Sequence, residues 1–215
     1  MSTQGFGQCL LERGFTKLEP DLLDRQMDLM RETADFKDRI CLELGARDGR
    51  HSLMALELGA LASTAVDGRE DNFPAEADRH PHITYTVADA RRLPTTLPFD
   101  IVLCYGLLYH VQDPGDLIKR MCKVASEWLF ISTHCATVMV HDFGGYRGRW
   151  MHEGTADIDA MEPSPSLWLH PSELRRALAD NGFEVATWVD YTISGQRAVW
   201  LAARPVVPRP LSEIA

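Results

Sequence analysis

The chain has 215 residues, of which 45% are hydrophobic and 25% charged, with a formal net charge of −9. Those proportions suit one globular domain with a sizeable core and exclude general disorder, while the acidic balance disfavours non-specific nucleic-acid binding without excluding a local basic patch such as "YRGRW". No uninterrupted apolar run of about 18 residues appears, so no membrane span is expected, and "MSTQGFGQCLLERGF" lacks the basic and apolar regions of a secretory signal.

Residues 20–38 open with Pro20 and place Leu22, Leu23, Met27, Met30 and Ala34 on one face, which predicts an amphipathic helix. "RICLEL" (39–44) is a short apolar run and predicts a buried strand. "GRHSLMALELGA" follows with helical spacing and a stop at Gly59. "ASTAVD" (62–67) is the next strand, and "REDNFPAEAD" a short helix interrupted by proline. "ITYTVAD" (83–89) alternates as a strand does, and "FDIVLCYG" (99–106) is an apolar strand ending in glycine. "DPGDLIKRMCKVA" (113–125) starts acidic with proline in its first turn and carries Leu117, Ile118, Met121 and Val124, as a helix should. "EWLFISTH" (127–134) is a further strand. Residues 135–170 are rich in Gly, His, Trp and Pro with weak periodicity, a long irregular connection of the kind kept for a lid or binding segment. "PSELRRALADNGF" (171–183) reads as a helix, and "EVATWVDYTI" and "QRAVWLAAR" as two closing strands. The proline-rich end, "RPVVPRPLSEIA", reads as extended and poorly ordered.

Strands alternating with helices imply an α/β fold with a doubly wound, mostly parallel seven-stranded sheet and right-handed crossovers. The last two strands lack a helix between them, so one strand near the C-terminus should run antiparallel. The expected organisation is a helical cap segment over 1–38, a main domain over 39–204 with an insertion at 135–170, and a tail over 205–215. Cys9, Cys41, Cys104, Cys122 and Cys135 are scattered with no C-x-x-C spacing, so a reducing cytoplasm is the expected home.

Ligands of such sheets bind beyond the carboxyl ends of the strands. Read in order, those ends carry Glu43, Gly45, Ala46, Arg47 and Gly49, then Asp67 and Gly68, then Asp89 and Ala90, then Tyr105 and Gly106. The acids among them would repel a dinucleotide or nucleoside triphosphate, and the phosphate loop G-x-x-x-x-G-K-[ST] is absent. A cationic or neutral nucleoside suits them better. One carboxylate can accept both ribose hydroxyls, and another can face an adenine amino group. Arg47 stands where a nucleotide-binding turn usually has glycine. Its side chain must point away from a ligand, alter the turn, or pair with a ligand carboxylate.

At these positions the chain resembles the class I S-adenosylmethionine-dependent methyltransferases, a Rossmann-like family. "LELGARDG" is similar to their first motif, "AVDGRE" to the acidic end of their second strand, and "VADARRLP" to the segment by the adenine amino group. "FDIVLCYGLLYHVQDPGDLI" resembles their fourth motif and the helix after it. The pairing of "GLLYH" with a following "DP" is seen in wobble-uridine tRNA modifiers and in many small-molecule methyltransferases. The resemblance implies S-adenosylmethionine as cofactor, with ribose held by Asp67 and the adenine amino group near Asp89. Arg47 is the departure from the pattern.

His110 and His134 follow the fourth and fifth strands at the same edge and are the candidate catalytic bases for a hydroxyl acceptor. An imidazole at either place could instead orient a loop or serve as a cap. Tyr109, Tyr146, Arg147 and Trp150 are the candidate substrate-binding residues, since interleaved arginine and aromatic groups can stack a planar molecule or hold an anion. Trp150 and Trp168 could instead anchor the insertion to the core. The pairs at His141–Asp142 and His152–Glu153 fit no recognised metal spacing, so no metal is expected. His51, His80 and His82 read as surface or helix-face residues. The expected activity is methyl transfer from S-adenosylmethionine to oxygen or nitrogen of a small-molecule acceptor. The alternatives are an RNA- or tRNA-modifying methyltransferase and a non-catalytic scaffold, and either the N-terminal helix or the insertion could form a homodimer contact.

Overall fold

The computed structural model describes residues 20–92, 98–152 and 165–207. Its first half runs α1 (Pro20–Thr33), β1 (Ile40–Leu44), α2 (Arg50–Glu57), β2 (Ala62–Asp67), β3 (Ile83–Val87), β4 (Phe99–Tyr105), α3 (Pro114–Val124) and β5 (Ala125–His134). The second half runs β6 (His141–Phe143), β7 (Tyr146–Met151), β8 (Ser166–Leu169), α4 (Pro171–Asp180), β9 (Phe183–Ile193) and β10 (Gln196–Pro205).

The main sheet has seven strands in the order β3-β2-β1-β4-β5-β10-β9. β1 pairs in parallel with β2 and β4, β2 with β3, and β4 with β5, whereas β10 runs antiparallel to β5 and β9. This is the expected doubly wound sheet with one antiparallel strand near the C-terminus. The chain leaves β1 in one direction and returns to β4 on its other side, which opens a crevice at the carboxyl ends of those two strands. Helices cover both faces, so the central strands read as continuous apolar runs. Cys41, Ile101, Leu103 and Phe130 pack with Leu23, Met27 and Met30 of α1 and Met54 of α2. Leu42, Val102, Cys104 and Leu129 pack on the opposite face with α3 and α4.

Several elements differ from the sequence expectation. The first helix ends at Thr33 rather than reaching residue 38, because Phe36 turns into the core and Asp38 takes a left-handed φ of 59°. The proline-interrupted helix is two short 3-10 turns, Glu70–Asn72 and Glu76–Asp78. The insertion is not irregular over its described part, where β6, β7 and β8 form a second antiparallel sheet. Gly144 and Gly145, at φ 61° and 84°, make the two-residue turn that closes β6 on β7. Gly148 then lets β7 approach β8, since a Cβ there would overlap the Trp168 carbonyl oxygen. His51, read as a surface or helix-face residue, lies on α2 and is buried. Cys41, Cys104, Cys122 and Cys135 are buried and form no disulfide among the described residues; burial pushes the Cys104 and Cys135 thiols up to about 12. Cys9, Glu153 and residues 208–215 of the expected tail lie outside the described residues.

Candidate active site

The turn after β1 is built on alternating left-handed residues. Gly45, Arg47 and Gly49 have φ of 69°, 50° and 79°. The Gly45 and Ala46 amides both donate to the Val66 carbonyl, at 2.9 and 3.0 Å, which seats the turn against the end of β2. A Cβ on Gly45 would stand 2.8 Å from that of Leu107, so the chain after β4 also closes on this turn. Arg47 keeps the backbone form that glycine would supply, and its side chain is exposed.

Glu43 lies beneath the turn and is 1% exposed. One carboxylate oxygen is 2.9 Å from Nδ1 of His51, and the other accepts from the Ser52 amide and hydroxyl at 2.8 and 2.7 Å. Its negative charge thereby meets the first turn of α2, where free amides favour an anion. Asp67, at the end of β2, accepts from the amides of Arg47 and Arg69, both at 2.9 Å, and from the Asn72 side chain. Gly68 beside it is exposed.

Asp89 pairs with the Arg91 guanidinium through two hydrogen bonds of 2.8 Å. That pairing holds its carboxyl below the usual carboxylate range, against the opposing effect of burial. Ala46 and Ala90 are buried. Tyr105 stacks on His51 with ring centroids 4.3 Å apart, and burial pushes its hydroxyl well up. Gly106 follows at φ 82° and donates its amide to Ser132 on β5, at 2.9 Å.

Both candidate bases meet Tyr109 on the same edge. The Tyr109 ring centroid lies 4.1 Å from that of His110 and 4.5 Å from that of His134. Trp168, from β8, stacks on His134 at 4.7 Å with the two planes 9° apart. Nδ1 of His134 and Nε1 of Trp168 are buried with no hydrogen-bond partner among the described residues. Burial lowers the His134 imidazole below its ordinary value; the Arg197 main chain opposes this and His110 adds to it. A neutral imidazole with a vacant ring nitrogen at this edge can accept a proton from a hydroxyl.

Trp168, which the sequence offers as part of the insertion's aromatic content or as an anchor to the core, belongs to this cluster. Its place is set by two main-chain bonds, Leu167 N to Val111 O at 3.1 Å and Ala136 N to Leu169 O at 3.0 Å. Tyr146 and Arg147 face α4 instead. The Tyr146 hydroxyl donates to Asp180 at 3.1 Å, and its ring lies against Gly115 and beneath the Arg176 guanidinium. Arg147 donates its amide to buried Glu173, which also pairs with Arg176. Trp150 packs on the core and stands edge-on to Phe143.

The family model described as "Methyltransferase domain" matches residues 10–187. The chain belongs to this family, the class I S-adenosylmethionine-dependent methyltransferases. The domain is 30% identical over 158 residues to the ubiquinone biosynthesis O-methyltransferase of Caulobacter vibrioides, covering 68% of this chain and 60% of that protein. It is likewise 30% identical to the same-named protein of Caulobacter sp. strain K31. The chain thus spans 60% to 61% of the length of these curated relatives. Among solved structures, the methyltransferase domain resembles the N-terminal domain of EvdMO1 with S-adenosylhomocysteine bound. The TM-score is 0.69 with 26% identity, covering 87% of this chain and 82% of that one. The magnesium protoporphyrin IX methyltransferase of Synechocystis PCC 6803 shares the fold, with a TM-score of 0.62, 15% identity, and coverage of 95% of this chain and 86% of that one.

Proposed function

We propose that the domain catalyses methyl transfer from S-adenosylmethionine to a hydroxyl oxygen of a small molecule, with His134 as the base. The observation that carries this reading is the buried, partnerless Nδ1 of His134 beside Tyr109, His110 and Trp168 at the carboxyl edge of β4 and β5. The left-handed turn at Gly45, Arg47 and Gly49 and the buried carboxylate of Asp67 fit a nucleoside without phosphates. Asp67 would hold the ribose hydroxyls, Asp89 would face the adenine amino group, and the turn amides would lie along the methionine part. S-adenosylmethionine supplies a methyl group already activated by its sulfonium. His134 would take the proton of the acceptor hydroxyl as its oxygen takes the methyl carbon, with the sulfur–methyl bond breaking to leave the neutral thioether. Tyr109 and Trp168 fix the imidazole plane and keep water from it. The name of the curated relatives supports oxygen as the accepting atom. The net charge of −9 supports a small acceptor over RNA, and the buried cysteines, without disulfides among the described residues, support a reducing, cytoplasmic setting.

Calorimetry with S-adenosylhomocysteine tests the cofactor half. Asp67→Asn should weaken binding about 10- to 100-fold through loss of charged hydrogen bonds, and absence of binding by the wild-type chain would refute the reading. Release of S-adenosylhomocysteine with a panel of small hydroxyl compounds tests the other half. His134→Gln should lower kcat about 100-fold or more while leaving cofactor affinity intact.

A further inference from the structure

A chain of buried polar side chains runs from α1 to the cofactor turn, and no step of the proposed reaction uses it. Gln26, on α1, is 5% exposed and places Oε1 3.1 Å from Nε2 of His51. Nδ1 of His51 is 2.9 Å from Glu43, and Glu43 holds Ser52, whose hydroxyl accepts from Ser63 of β2 at 2.8 Å. The same imidazole stacks on Tyr105 with an angle of 27° between the rings. One ring therefore touches the N-terminal helix, the acid before the glycine turn and the last residue of β4. Glu43 only accepts, so Nδ1 carries a hydrogen; the Gln26 amide then gives Nε2 a partner by turning its NH2 group to it or, where Nε2 also carries a hydrogen, its oxygen, and the contact fixes the ring plane in both cases.

α1 also packs on the sheet through apolar Leu23, Met27 and Met30. Such contacts hold a helix down but are non-directional. The Gln26–His51 bond is directional, and a buried polar chain is stable only when each member is satisfied. A shift of α1 would strand His51, and a shift of His51 would disturb Glu43 and the start of α2.

We propose that His51 is a positioning residue that couples α1 to the S-adenosylmethionine site, so that seating of the helix and occupation of the turn favour one another. The proposal rests on the cofactor reading above. Linkage makes the effect reciprocal: whatever loosens α1 weakens the ligand, and the ligand tightens α1.

The test uses Gln26→Leu, which removes the polar link from a residue outside the proposed binding and catalytic groups, and Gln26→Glu, which restores an oxygen at the same place. Hydrogen exchange of α1 amides is measured with and without S-adenosylhomocysteine, beside steady-state kinetics. Addition of the ligand should raise α1 protection in the wild type and in Gln26→Glu but not in Gln26→Leu. The KM for S-adenosylmethionine should rise about ten-fold in Gln26→Leu with kcat unchanged, and return toward the wild-type value in Gln26→Glu. Wild-type binding that leaves α1 exchange unaltered would overturn the coupling, as would a Gln26→Leu KM equal to that of the wild type. If the wild type binds no ligand, the cofactor reading fails. In that case unchanged α1 exchange in ligand-free Gln26→Leu would overturn the Gln26–His51 tie as well.

Discussion

Arg47 shows how a backbone requirement can outlast the residue that normally meets it. Its φ of 50° lies in the region where a Cβ costs about 1–2 kcal/mol. Its amide, which glycine would also supply, donates to Asp67 at 2.9 Å. Arg47→Gly should therefore keep S-adenosylhomocysteine affinity and raise stability by about 0.5–1 kcal/mol in urea unfolding, part of the relief being offset by the freer unfolded chain. The turn itself gives no support to a non-catalytic scaffold. At His134 the chemistry follows from burial. With its folded pKa below the ordinary imidazole value of about 6.5, the ring stays neutral into mildly acidic solution. The acid limb of the kcat/KM profile should lie below that value, and His134→Gln should abolish the limb. The same shift makes the unfolded chain the better proton binder there, so His134 adds a stability penalty as pH falls below about 6.5.

Among the elements, the small sheet β6-β7-β8 matters because it delivers Trp168 to His134. Gly148 is the position on which that delivery turns, since any side chain would overlap the carbonyl of Trp168. Gly148→Ala should separate β7 from β8 and cost about 2 kcal/mol. Urea unfolding reads the stability. The carbon-bound ring protons of His134, which the stacked indole shields, should shift in the nuclear magnetic resonance spectrum. Gly144–Gly145 lies in the segment that the sequence reads as an irregular lid or binding connection, because the short strands around the turn alternate too weakly to show a sheet. Helix α3 was legible almost to the residue, because Asp113 caps it by accepting from the Asp116 amide and Pro114 fixes its first turn.

For the molecule as a whole, several carboxylates bind arginines that join separate segments or close a strand end. Arg91 and Arg197 hold the carboxyls of Asp89 and Asp190 below their ordinary values. Glu173 is pushed up by burial, but Arg176 and the Arg147 amide outweigh that and leave it lowered. A group lowered by folding adds stability above its unfolded pKa and loses it as pH falls through the folded value. The urea midpoint should therefore drop below about pH 4, and Arg176→Ala should flatten that drop, which equilibrium unfolding between neutral and acidic pH would measure.

The sequence by itself determined the order of the main-sheet strands and their helices, the buried central strands, the glycine turn and the acids at the ends of β1 and β2, because each depends on spacing within one segment. Only the tertiary structure decided what those groups touch. His51 looks like a helix-face residue until α1 and β4 close over it, and Trp168 lies 34 positions beyond His134 yet stacks on its ring. Such contacts rest on β8 lying against the chain after β4 and on α1 covering the sheet, and packing between distant segments leaves no local period to read.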